Sequence, residues 1–62
     1  MDPFLEPGAL VRHPTQADWG LGQVQSVDGF RVTVNFEEAG KRTIDARQVT
    51  LVFVADDPRD AR

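Results

Sequence analysis

Sixty-two residues with no cysteine and a formal net charge of -3 leave room for one hydrophobic core and exclude a disulfide framework, a zinc ribbon and thiol redox chemistry. A chain this short buries only about 60% of the surface its unfolded form exposes, so no internal substrate cavity is expected and function should lie on the outer surface. The charge is unevenly placed: between Gly8 and Val54, Arg12, Arg31, Lys41, Arg42 and Arg47 match Asp18, Asp28, Glu37, Glu38 and Asp45 one for one, and the acidic excess belongs to Asp2, Glu6, Asp56, Asp57 and Asp60 near the ends.

Residues 1–7 carry two prolines and two acids and lack the basic start and apolar run of a secretory signal, so a cytoplasmic protein with no membrane association is expected. Leu10 to His13 reads as a short strand stopped by Pro14, and Pro14 to Leu21 as a loop. Gly22 to Val27 is rich in β-branched residues and runs into Asp28-Gly29, a strong hairpin signal. In the strand that follows, Phe30, Val32, Val34 and Phe36 share one face while Arg31, Thr33 and Asn35 share the other. A two-residue turn at Asp28 and Gly29 would pair Gln25 with Val32 and set a glutamine on the apolar face. A three-residue loop over 27–29 pairs Ser26 with Phe30 and Val24 with Val32, and is preferred.

Glu37 to Gly40 reads as a second turn, Arg42 to Asp45 as a short strand, and Ala46 to Gln48 as a tight turn. Val49 to Val54 reads as a last strand with Leu51 and Phe53 facing inward. Residues 55–62, with three aspartates, a proline and two arginines, resemble the first seven in lacking any periodic pattern. The sum is one all-β domain over 1–62, with a small five-stranded SH3-like (Tudor- or KOW-like) barrel over about 8–54 and frayed termini. Closure is expected because an open sheet this small would leave long edges unpaired.

Candidate chemistry is sparse. One histidine, one serine, no cysteine and no tyrosine provide no nucleophile–base pair, so no enzymatic activity and no small-molecule substrate are expected. The adjacent acids Glu37-Glu38 and Asp56-Asp57 lie at a turn and in a tail, where solvated charge is their ordinary role. His13 has no second histidine to join it, so neither a metal site nor a cofactor is expected.

Two stretches stand out. In Trp19-Gly20-Leu21-Gly22 a tryptophan lies beside two glycines in a loop entering a strand, where its ring either caps the open end of the core or offers a face to a partner. In Gly40-Lys41-Arg42 a turn glycine precedes two cations whose side chains diverge if a strand begins there. They either guard an edge strand or meet a partner. A nucleic-acid footprint would need clustered cations, and these are interleaved with acids.

The string Pro7-Gly8, Val11-Arg12-His13-Pro14, Asp18 through Val27, Val34-Asn35-Phe36-Glu37 and Ala39-Gly40-Lys41-Arg42 resembles a bacterial domain-of-unknown-function family of short stand-alone proteins. More loosely, its order of motifs is similar to the Tudor-like C-terminal domain of bacterial superfamily-one repair helicases and to the RNA-polymerase-interacting domain of CarD-type transcription regulators. Both likenesses imply an SH3-like barrel. The helicase domain further implies docking onto RNA polymerase through positions that match Trp19 and Lys41, although this chain carries no helicase. A methyl-lysine cage is not expected, because Trp19 is the one aromatic in a suitable loop.

The expected function is thus a protein-binding adaptor of the transcription or repair machinery, a monomer that uses Trp19 as anchor and Lys41 or Arg42 as charge contacts. The alternative is direct nucleic-acid binding, with Arg12, Arg31, Lys41 and Arg42 on phosphates and Trp19 stacked on a base. A third reading is an assembly module that pairs through an open strand edge.

Overall fold

A computed structural model describes residues 6–55, so the ends expected to fray lie mostly outside the described residues. Five strands form in chain order: β1 (Leu10–Arg12), β2 (Gly22–Asp28), β3 (Arg31–Phe36), β4 (Gly40–Asp45) and β5 (Val52–Ala55). The loop between β1 and β2 contains a single 3-10 turn, Ala17–Trp19. All pairings are antiparallel and make one sheet in the order β4-β3-β2-β1-β5. The all-β class and the strand count are as the sequence predicts. Among the described residues the sheet does not close, its ladder ending in β4 on one side and β5 on the other.

One face of this sheet holds the core: Ala9, Val11, Val24, Val32, Val34, Phe36, Ile44 and Leu51 are buried. No second layer covers them among the described residues, so burial requires the strands to curl around their own apolar face. Trp19, Val27, Ala39, Ala46 and Val49 pack around the margin of that core.

Both expected registers of the first hairpin are wrong. Asp28 pairs with Arg31, Val27 with Val32 and Ser26 with Thr33, whereas Val24 pairs with Val34. Gln25 is the extra residue, a bulge that lets Val24 and Val27 both face inward while the glutamine stays exposed. The conflict that the sequence posed, a glutamine on the apolar face, is thereby resolved within the strand and not at the turn. The turn residues are Gly29 and Phe30, and the positive φ of Gly29 (59°) at the first central position is that of a type II′ hairpin. Phe30 therefore leaves the apolar face on which its alternation placed it, and is 58% exposed.

The last strand is also displaced. The Asp45 carboxylate accepts from the Arg47 backbone N–H at 2.9 Å, and the amides of Gln48 and Val49 both donate to the Asp45 carbonyl at 3.0 Å. The turn consequently consumes Val49, and β5 starts at Val52. Leu51 is buried as expected. Phe53 lies opposite Val11, on the core side of the ladder, and the residue is 36% exposed.

Candidate functional site

Trp19 is placed by backbone bonds that lace its loop to the β3–β4 turn. The Trp19 amide donates to Gln16 at 3.0 Å to close the 3-10 turn, and the Trp19 carbonyl accepts from the Glu38 amide at 3.0 Å. One step on, the Leu21 carbonyl accepts from the Glu37 amide at 2.9 Å, and the Leu21 amide donates to the Glu37 Oε1 at 3.2 Å. Gly22 then enters the sheet opposite Phe36, where a Cβ would come within 2.5 Å of Val34 Cγ1 and 2.7 Å of the Phe36 ring. Only glycine allows the loop to approach the sheet this closely, and that approach sets the indole over the end of the core.

The indole is half-buried and meets three side chains. Its ring centre lies 5.2 Å from that of Phe36 in an edge-to-face arrangement and 4.7 Å from that of His13 at a tilt of 59°. The Arg42 guanidinium lies over the ring, 5.1 Å from its centre. His13 is itself held: the Thr15 amide donates to its Nδ1 at 3.1 Å, which leaves Nε2 as the ring nitrogen that carries the proton in the neutral form. Of the two roles the sequence left open for Trp19, this packing supplies capping of the core end, with the rim of the ring and the Arg42 head at the surface.

The ladder separates the expected site residues. Arg42 pairs with Val34, a core residue, so it projects from the side of the sheet that Trp19 covers. Lys41 pairs with Asn35 and projects from the other side. The divergence of these two cations is as the sequence predicts, and it brings Trp19 together with Arg42 and not with Lys41. Near Lys41, Leu10, Leu21, Gln23, Asn35 and Glu37 line an open trough of about 460 Å³. Arg12 is exposed and pairs with Val52. Arg31 stands near the far end of β3 between Asp28 and Asp45, its partners on either side, about 16 Å from Phe36 at ordinary strand rise. Arg12, Arg31, Lys41 and Arg42 thus form no single basic stripe.

His13 and Phe36 were not among the expected site residues, although both touch Trp19. The usable signal was the Val11-x-His13-Pro14 string, because a proline that halts β1 fixes the residue before it at the mouth of the core. At the opposite end of the sheet, Arg47 donates to Asp45 through Nε at 3.2 Å and Nη2 at 3.0 Å, and lies over the Phe30 ring at 4.9 Å. This is the one ion pair among the described residues. The Arg47 side-chain and backbone hydrogen bonds hold the Asp45 carboxyl below the usual carboxylate range. Among the described residues no group of three or more metal-ligating side chains comes together.

Neither the comparison with curated proteins nor that with solved structures gives a match. Among protein-family models, residues 5–54 match the family described as "Protein of unknown function (DUF3553)".

Proposed function

We propose that this chain, which belongs to the DUF3553 family, is a non-catalytic interaction module that docks a protein partner of the transcription or repair machinery through the Trp19–Arg42 end of its sheet. The observation that carries the reading is the Arg42 guanidinium. It is exposed, oriented by the indole beneath it, and joined to no carboxylate among the described residues. An arginine stacked on a ring loses little side-chain freedom when it meets an acidic or carbonyl-bearing partner, and tryptophan and arginine are the residues in which interface energy concentrates. We read the curled sheet as an SH3-like barrel with an unclosed ladder. The resemblance to the Tudor-like helicase domain and to the CarD-type domain makes RNA polymerase the first partner to try.

The test is an NMR titration of labelled protein with purified RNA polymerase, and separately with a short DNA and a short RNA. Signals of the Trp19 indole and Arg42 are expected to shift or broaden with polymerase, and Arg42→Glu is expected to abolish the effect in a protein that stays folded. Lys41→Glu reports on the opposite face and should leave it intact. Unchanged binding by Arg42→Glu would sink this reading, and perturbation by oligonucleotide alone would replace it with nucleic-acid binding.

A further inference from the structure

β4 is the last strand on its side of the sheet, and its ladder with β3 fixes which of its backbone groups face outward. The Ala46 amide donates to the Phe30 carbonyl, so every second pair along that ladder exchanges hydrogen bonds: Val32 with Ile44, Val34 with Arg42 and Phe36 with Gly40. Lys41, Thr43 and Asp45 alternate with these and aim their backbone N–H and C=O groups away from β3, along the open edge. Among the described residues the one outward group with a backbone partner is the Asp45 carbonyl, which accepts from Gln48 and Val49. Lys41, Arg42 and Thr43 are exposed.

The outer face of this strand is also complementary to itself. Lys41, Thr43 and Asp45 lie on it in that order, a cation, a neutral residue and an anion at even spacing. We propose that β4 pairs antiparallel with β4 of a second copy about a two-fold axis at Thr43, so that the monomer is in equilibrium with a dimer in which the two sheets are continuous. The pairing sets Thr43 against Thr43, Lys41 against Asp45 and Arg42 against Ile44. The two Thr43 residues exchange a pair of hydrogen bonds, and each Asp45 amide donates to the Lys41 carbonyl of the other copy. This contact goes beyond the docking role of the Trp19–Arg42 end, because it uses the backbone edge and outer face of β4 and not the indole.

Charge selects the occupant. A lysine on an edge strand ordinarily discourages pairing. Here the residue that it meets is the Asp45 carboxylate, whose Oδ1 accepts from the Arg47 amide and Nε and whose Oδ2 accepts from Nη2, so Oδ2 keeps acceptor capacity for the incoming ammonium. An in-register parallel copy would set Lys41 beside Lys41 and Asp45 beside Asp45. A uniformly acidic segment would suit Lys41 but bring like charge against Asp45, whereas an antiparallel second copy satisfies both ends at once.

A pair of six-residue strands buries less than the roughly 1,200 Å² of a stable interface, so the dimer should form only at high concentration. Sedimentation equilibrium from about 10 µM to about 1 mM is expected to show the mass rising from 6.9 kDa toward twice that value. In a mixture of labelled and unlabelled protein at the upper concentration, an isotope-filtered NOE is expected between the Hα atoms of Arg42 and Ile44 in different copies, since the pair without hydrogen bonds brings the chains closest. Thr43→Pro removes an outward donor that the ladder with β3 does not use, so it should keep the fold by NMR and weaken association at least about tenfold. Lys41→Glu should also weaken it, as should added salt in the wild type, whereas Val54→Lys at the other end of the sheet should not. A mass that stays at 6.9 kDa throughout, or a dimer untouched by both Thr43→Pro and Lys41→Glu, would overturn the proposal.

Discussion

Gly22 stands directly opposite Phe36 in the β2–β3 ladder, and the place where its side chain would begin is already filled by the phenylalanine ring, 2.7 Å away. Val34 Cγ1 is closer still, at 2.5 Å, and belongs to a fully buried residue that cannot retreat. Gly22→Ala is therefore expected to destabilise the domain by about 1–3 kcal/mol through overpacking. Because Phe36 supports the Trp19 ring, the change should also shift the tryptophan emission of the still-folded protein. Chemical denaturation followed by that emission reads both effects, and a midpoint equal to wild type would show that the sheet has slack at this point.

The bulge at Gln25 gives a prediction about deletion. Removing Gln25 leaves Val24 opposite Val34, Ser26 opposite Thr33 and Val27 opposite Val32 in an unbroken ladder, with every inward residue still inward. The deletion variant is expected to fold and to keep its Val24–Val34 and Val27–Val32 cross-strand contacts in NMR. It should be less stable, because the bulge adds the local twist that helps the sheet curl around its core. Deleting Gln23 instead would turn Gly22 away from Phe36, and should abolish folding.

The same two strands show what the sequence discloses and what it conceals. Alternation in 30–36 identified β3 and its inward valines, because a half-buried strand has a period of two whatever surrounds it. It misplaced Phe30, since alternation is blind to where a turn begins, and Asp28-Gly29 serves a turn at 28–29 or at 29–30 equally well by composition. It also passed over the Gln25 bulge, which exists only to reconcile two registers that lie far apart along the chain. At the candidate site, the divergence of Lys41 and Arg42 was legible from strand geometry alone. The meeting of Trp19 with Arg42 was not, because it depends on a loop and an edge strand brought together by the Glu37 and Glu38 amides.

Phe30 and Phe36, which alternation treats alike, are expected to respond to truncation in opposite ways. Phe36→Ala removes a buried ring from beneath Trp19 and should cost about 3–5 kcal/mol, enough to unfold so small a domain. Phe30→Ala removes an exposed turn residue whose ring lies beneath the Arg47 guanidinium, a contact worth about 0.5–1 kcal/mol at such a site. Thermal unfolding of the two variants side by side tests the reassigned register, since comparable losses would return Phe30 to the core.

Acid should reach the β4–β5 turn only after pH has fallen below the usual carboxylate range. Asp45 is held below the usual carboxylate range chiefly by the Arg47 side-chain hydrogen bonds and then by the Arg47 amide. A carboxyl whose folded value is depressed contributes stability above its unfolded value of about 3.9, and that contribution is lost as pH falls through the lower, folded value. Asp45 is solvent-exposed, so the stability at stake is small and the sensitive readout is local. Observed by NMR through its own carboxyl carbon, Asp45 is expected to titrate below the usual carboxylate range. Arg47→Ala should move its midpoint upward and release the Arg47 contact with Phe30, and high salt should move it the same way in the wild type. If the midpoint is the same in both proteins, the bidentate pair does not persist in solution, and the turn is held by the Arg47 amide on the Asp45 carboxylate and the backbone bonds to the Asp45 carbonyl.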